Sequence, residues 1–188
     1  MEQRFPTDSR PADQARDPKL RLIRSALEVF ARDGYEGASL RTITAHAGLG
    51  HGAVKYYFGN KLDLWKAAVS FMLEERDAFI NLPPDEAAKL SARERVRREL
   101  TNMVHYAAQH PEQIRILINE SMAHDERLQW LAETHLRETE LAVVRRVESL
   151  QKDGVFPKMP ALNFYYIMIA ATRGVFALAP VIKRIHGI

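Results

Sequence analysis

Cysteine is absent from the 188 residues. That absence removes structural disulfides, thiolate metal sites and cysteine nucleophiles from consideration. Glycine and proline are sparse, nine of each, and follow no period, which excludes collagen-like and low-complexity chains. Long apolar runs are missing too. Stretches such as Ile167–Ala171 fall far short of the ~20 residues that a bilayer crossing requires, and the N-terminus carries no apolar signal core. A soluble, cytoplasmic protein with no membrane partner is expected.

What is present is globular in composition, with 46% hydrophobic and 27% charged residues. A chain of this length buries roughly 70% of the surface that its unfolded form exposes, so it folds without a staple. The net charge of +3 is small but unevenly placed. Residues 1–61 hold ten Lys and Arg against seven acids, and the other 127 residues hold seventeen of each. The whole excess lies in the first third, the pattern of a polyanion-facing module attached to a neutral body.

Periodicity predicts helices throughout and no strand. Residues 1–17 are too polar to offset the entropy of ordering and are expected to form a disordered arm. Arg4, Arg10 and Arg16 give that arm a minor-groove reading, but Glu2, Asp8, Asp13 and Asp17 nearly cancel them, which favours a passive tail. Asp17-Pro18 opens a first helix carrying Leu20, Ile23, Leu27 and Phe30 up to Gly34, because an Asp cap and a Pro at the first position suit a helix start. Ser39 caps a short helix ended by Gly48, and a third runs from about His51 to Phe58. Asn60 caps a longer one that Asn81-Leu82-Pro83-Pro84-Asp85 stops. Ser91 and Glu94 form a capping box, Pro111 starts a helix, one long segment covers about Asp125 to Asp153, and the last begins at Pro160 and runs through Phe176 or beyond.

Two short helices with a tight turn between them are the helix-turn-helix arrangement, whose second helix enters a DNA major groove. Leu40, Ile43, Ala47, Leu49, Val54 and Tyr57 occupy its inward positions, and Gly48 sits where the turn needs a left-handed residue. A generic helical hairpin has the same inward pattern. The whole stretch from Ser39 through Ala47-Gly48-Leu49, Gly52 and Tyr57-Phe58 to Lys61 goes further: it resembles the DNA-binding region of TetR-family transcriptional regulators, over about Leu20 to Leu64. The resemblance implies that Ser39, Thr42, Tyr56, Tyr57 and Lys61 hold the phosphate backbone while His51, Gly52, Ala53 and Lys55 approach base edges. Each has a plainer reading: Ser39 as a cap, Tyr57 as half core, Lys61 and His51 as solvated residues, Gly52 as a frayed helix start. Thr44 stands where the family usually has Ala, Gly50 where it has Ser, and Lys55-Tyr56 where it has Tyr-His, so the operator sequence is this chain's own.

For the body the resemblance is architectural, and it implies effector binding and dimerisation. Trp65, Phe71, Met103, Tyr106, Ile114, Met122, Tyr166 and Arg173 are the ligand-pocket candidates, with Phe79, Trp130, Tyr165, Met168 and Phe176 as further apolar material; the plainer reading of such a stripe is core. Arg173 differs in kind. Set among apolar residues, it either meets an acid such as Glu120, or meets a ligand carboxylate, or lays its stem on the surface with its head in water. Val143, Val147 and Leu150 on the long segment, with the small residues Ala170, Gly174 and Ala177, suggest half of a four-helix dimer seam. Many family members place another helix beyond the position of Ile188, so the seam is either shortened or built differently here.

No catalytic constellation emerges. Gly48-Leu49-Gly50-His51-Gly52 lacks both the spacing and the preceding strand of a phosphate loop. Glu120 and His124 are spaced for a divalent metal but have no companion pair, and no G-x-S-x-G elbow is present. The expected protein is all-α: an arm over 1–17, a helix-turn-helix domain over 18–64 and a helical ligand-binding and dimerisation domain over 65–188. It is a regulator without metal or cofactor, most simply a repressor, that binds a palindromic double-stranded DNA operator as a homodimer and is released by a small-molecule effector. Two alternatives stay open: an architectural DNA-binding protein without effector, and a helical ligand carrier or enzyme with a vestigial headpiece.

Overall fold

Local capping chemistry sets most of the helix starts. In the computed structural model, which describes residues 17–187, every regular element is helical. Helix α1 (Pro18–Gly37) begins where the Asp17 carboxylate accepts the Lys19 N–H at 2.9 Å. Gly34, at φ 69°, interrupts it. Ser39 caps α2 (Leu40–His46) by accepting the Thr42 N–H at 3.0 Å, and α3 (Ala53–Phe58) follows. Asn60 accepts the Asp63 N–H at 2.9 Å as α4 (Lys61–Ile80) starts. The arm expected over 1–17 lies, apart from Asp17, outside the described residues.

The chain divides at Phe71/Met72 into two compact units, later than the expected boundary at Leu64/Trp65. In the first, α1, α2, α3 and the start of α4 bury Leu22, Ile43, Val54, Leu64 and Trp65. Trp65 also meets the Tyr35 ring edge-on. Thr44, where a smaller residue was the family expectation, is fully buried and donates its hydroxyl to the Arg41 carbonyl at 3.1 Å, so the polar atom is satisfied.

The second unit contains short α5 (Pro84–Ala87), α6 (Ala92–Gln109), α7 (Pro111–Ala123), α8 (Glu126–Leu131), α9 (Arg137–Lys152), α10 (Ala161–Ile169), α11 (Val175–Ala177) and α12 (Ala179–His186). Three features depart from the periodic reading. Pro83-Pro84 stops α4 but also starts α5, since Pro suits the first turn. The segment expected to be one helix over Asp125–Asp153 is helical without a gap from 126 to 152 but carries a π turn at Ala132–Leu136. A second π turn, Ala170–Gly174, follows α10, and the last helix bends by 59° between Ala161–Ala177 and Ala179–His186, where Pro180 cannot supply an N–H to a continuous helix. No single helix among the described residues is long and apolar enough to cross a membrane.

Candidate nucleic-acid interface and ligand cavities

Gly48 is the pivot of the first unit. Its φ is 63°, and a Cβ there would lie 2.7 Å from the Arg21 guanidinium, so both conformation and space favour glycine. Arg21 donates to the Ala47 carbonyl and, at 3.4 Å, to that of Gly48. The guanidinium thereby locks the α2–α3 turn onto α1. Sequence reading missed this clamp, and its one signal is a cation at a helix position that faces the turn.

With Ile43, Ala47 and Val54 buried, the other faces of α2 and α3 point outward. His51, Gly52, Lys55 and Tyr56 are exposed and Ala53 is partly so. Tyr56 is 82% exposed and its ring meets that of Tyr57 edge-on at 4.8 Å. Tyr57, expected among the inward positions, is 36% exposed; its neighbour Phe58 is the half-buried one, with the Lys19 ammonium 5.7 Å from its ring centroid. The hydroxyls of Ser39 and Thr42 lie 2.7 Å apart on the exposed start of α2, so Ser39 caps the helix and still presents its oxygen to solvent. Lys61 reaches back to the Glu36 carbonyl at 3.4 Å and sits 4.5 Å from the Tyr35 ring centroid. Its ammonium is held by a cation–π contact at the edge of the unit.

The second unit contains two neighbouring cavities. The larger, of about 150 Å3, is walled by apolar residues of α4, α6, α9 and α10, among them Val96, Leu100, Phe164 and Met168. Its polar wall groups are Asn81, Arg146, Tyr165 and Glu99, the last accepting from Arg95 at 2.9 Å and from Arg146 at 2.5 Å. The smaller, of about 20 Å3, is lined by Arg76, Met103, Tyr106, His110, Gln113 and Arg173, with Ile114 and Leu117 beside them. Met103 lines both. Burial pushes the Tyr106 phenol well above its ordinary range, with Glu75 adding to the shift. The phenol accepts from Gln113, and both side chains donate to the Met72 carbonyl, at 3.5 and 3.2 Å.

Of the ligand-pocket candidates, Met103, Tyr106, Ile114 and Arg173 come together around the small cavity. The others do not line either cavity. Trp65 is core of the first unit, and Phe71 lies under the Arg24 guanidinium, 5.4 Å from its ring centroid. Met122 is exposed. Tyr166 points out and donates to Glu140 at 2.9 Å, while its neighbour Tyr165 faces the larger cavity. Glu120, offered as a partner for Arg173 or a metal, instead accepts from Arg127 at 2.9 Å, and Asp125 lies 2.7 Å from the same guanidinium. His124 ends α7 in the left-handed region at φ 52°.

The seam candidates divide as well. Val147 and Leu150 are only 5% and 8% exposed and, with Val143, wall the larger cavity, so they face the inside of their own chain. Ala170 is exposed and Gly174 and Ala177 are half-buried. Near them Leu162, Ile167, Val175, Leu178, Val181 and Ile185 are each about half exposed or more.

Residues 22–68 match the family described as bacterial regulatory proteins, tetR family. The HTH-type transcriptional repressor SCO4008 of Streptomyces coelicolor is 26% identical over 175 residues, covering 91% of this chain and 85% of that protein. The HTH-type nicotine-responsive transcriptional repressor HdnoR of Paenarthrobacter nicotinovorans is 42% identical over 59 residues, 31% of this chain and 30% of that protein. Among solved structures, a TetR-like transcriptional regulator from Rhodococcus sp. RHA1 superposes with a TM-score of 0.63 at 18% identity, over 86% of this chain and 82% of that one.

Proposed function

The chain belongs to the TetR family of bacterial regulatory proteins, whose members regulate transcription and are not enzymes, and on that premise we propose that it is a repressor that grips a palindromic operator as a homodimer and lets go when a small molecule enters its body. One observation carries the reading. Val54 anchors α3 while Lys55 and Tyr56 on the same short helix, and His51 in the turn before it, stay exposed, an arrangement that leaves donors free for base edges and phosphates. In this reading His51, Gly52, Ala53 and Lys55 approach bases, and Ser39, Thr42, Tyr56, Tyr57 and Lys61 hold the backbone. The DNA-reading module ends within α4, and the rest of the chain binds effector and partner.

The body cavities favour a ligand-responsive regulator over an architectural protein, whose body would be packed solid. Helix α4 runs from Lys61 to Ile80, and its later residues Arg76 and Ile80 line the cavities. Ligand binding there and operator binding at the headpiece are coupled through this helix, and the coupling is reciprocal. The exposed apolar strip from Leu162 to Ile185, with Ala170 on it, supplies the dimer seam in place of Val147 and Leu150. Two recognition helices in such a dimer stand one helical turn apart, about 34–36 Å.

Selection of bound duplexes from a random pool tests the reading. A palindromic consensus bound at about 10⁻⁸ M or tighter is expected, with a dimer in sedimentation that Ile167→Glu plus Leu178→Glu converts to monomer with loss of tight binding. Binding that is weak, steeply salt-dependent and without consensus overturns it.

A further inference from the structure

Arg173 is the anomaly of the body. It lies on the π turn Ala170–Gly174, a distortion that often marks a functional position, and it opens onto the small cavity. Every strongly buried charge of the second unit has an ionic partner. Arg76 pairs with Asp77 at 2.7 Å, Arg127 with Glu120 at 2.9 Å, and Glu99 with Arg146 at 2.5 Å. Arg173 forms no ion pair or hydrogen bond among the described residues, although it is half-buried. Burial lowers its proton affinity most, Arg76 on the same cavity wall lowers it further, and Tyr165, Asp77 and Tyr106 act the other way. A guanidinium stays charged even so. Its cost is relieved by an anion that binds both lobes of the fork.

The surroundings restrict that anion. The space beside Arg173 is about 20 Å3, enough for a water or the oxygen end of a carboxylate. Beyond Met103 lies the larger cavity of about 150 Å3, a size that in an engineered apolar cavity takes one benzene. Its polar wall groups are Asn81, Tyr165, Glu99 and Arg146, and the two charged ones pair with each other, Glu99 also accepting from Arg95. The larger cavity therefore offers apolar contact and no free charge.

We propose that the effector is a small monocarboxylic acid with an apolar tail about the size of a phenyl group, its carboxylate received by Arg173 with Arg76 alongside and its tail passing Met103 into the larger cavity. The proposal rests on the reading of the body as an effector domain and names the chemistry of that site. Tyr106 and Gln113 hold each other and the Met72 carbonyl, so they shape the small cavity without competing for the anion.

The test uses the full chain and calorimetric titration with benzoate, phenylacetate and 3-phenylpropionate, each beside its primary amide. The acid is expected to bind about tenfold or more tightly than its amide, the difference that a charge-assisted hydrogen bond supplies. Arg173→Gln is expected to abolish that preference, and Arg173→Lys to restore part of it. Equal affinity for acid and amide in the wild-type chain, or no binding of any acid, overturns the proposal without needing a variant. Operator titration with and without bound acid is read separately. An acid that binds through Arg173 but leaves operator affinity unchanged supports the site and refutes the release mechanism, whereas DNA release by the amides as readily as by the acids refutes the chemistry and leaves the mechanism standing.

Discussion

The two units fill their interiors differently. In the first, the buried polar side chains are Ser25 and Thr44, two small hydroxyls; in the second they are Arg76, Glu99, Gln113, Glu120, Arg127 and Thr172. Eight of the eleven largest fully buried side chains, Trp65 and Leu22 foremost, also precede Met72, so the headpiece is the densely apolar part. The body buries ion pairs and encloses cavities, and the buried interior of the headpiece is mostly apolar. Under the proposed function, a unit that presents donors to a fixed duplex gains from rigidity. One that admits and releases a molecule gains from space and from charges whose pairing can change.

The largest effect that tests this contrast is a matched pair of core truncations. Leu64 is fully buried, while Leu150 lines the 150 Å3 cavity and is 8% exposed. Leu64→Ala should cost about 4–5 kcal/mol and Leu150→Ala about 2–3, because the second site already lacks neighbours on one side. Urea unfolding of both variants decides, and equal costs would erase the contrast. The next effect belongs to the body alone. Arg127→Met removes the guanidinium 2.9 Å from the Glu120 carboxylate, whose side chain is 4% exposed, at a cost of about 3 kcal/mol. Adding Glu120→Leu should recover most of that loss. A double variant no more stable than Arg127→Met would show that the pair itself stabilises the body.

How much of this was legible in the sequence follows the same divide. Asp17, Ser39, Asn60 and Ser91 announce their helices because capping is a matter of three or four adjacent residues. Ile43, Ala47 and Val54 are legible because the turn at Gly48 fixes the faces beside it, whereas at the far end of α3 the inward side falls on Phe58 rather than the expected Tyr57. In the body, inward and outward faces were assigned by carrying one period across long segments. Val143, Val147 and Leu150 do share one face of α9, but that this face walls a cavity inside its own chain is a tertiary fact that periodicity does not carry. Of the adjacent candidates Tyr165 and Tyr166, only Tyr165 faces the larger cavity. Trp65 and Phe71 were placed in the pocket because nothing in the apolar run of α4 marks the passage between units at Phe71/Met72. Arg173 stood out as a charge among apolar neighbours, but that Glu120 belongs to Arg127 is a tertiary fact that spacing does not carry.

At the headpiece, Lys55→Ala should weaken operator binding by about 1–3 kcal/mol and relax the consensus at the position it reads, whereas Lys61→Ala should weaken all duplexes alike and reduce the salt slope by about 1. Anisotropy titrations at several salt concentrations separate the two. If Lys55→Ala left the consensus intact, its ammonium would be a phosphate contact and base reading would fall to His51, Gly52 and Ala53.

The smallest effect lies at the start of α6 and asks whether the body, too, depends on its caps. Ser91 accepts the Glu94 N–H at 3.3 Å, and the Glu94 carboxylate accepts the Ser91 hydroxyl and backbone N–H at 2.6 and 3.0 Å. Ser91→Ala should cost about 1 kcal/mol. The same hydrogen bonds hold the Glu94 carboxyl below its ordinary range. A depressed carboxyl stabilises the fold at pH values above its unfolded pKa, and that contribution disappears as pH falls through the folded one. The cost of Ser91→Ala, measured by urea unfolding at neutral pH and again on the acid side of the carboxylate range, should therefore shrink as the solution is acidified. A cost that stays constant with pH would assign the cap to the serine hydroxyl alone and leave Glu94 a solvated first-turn residue.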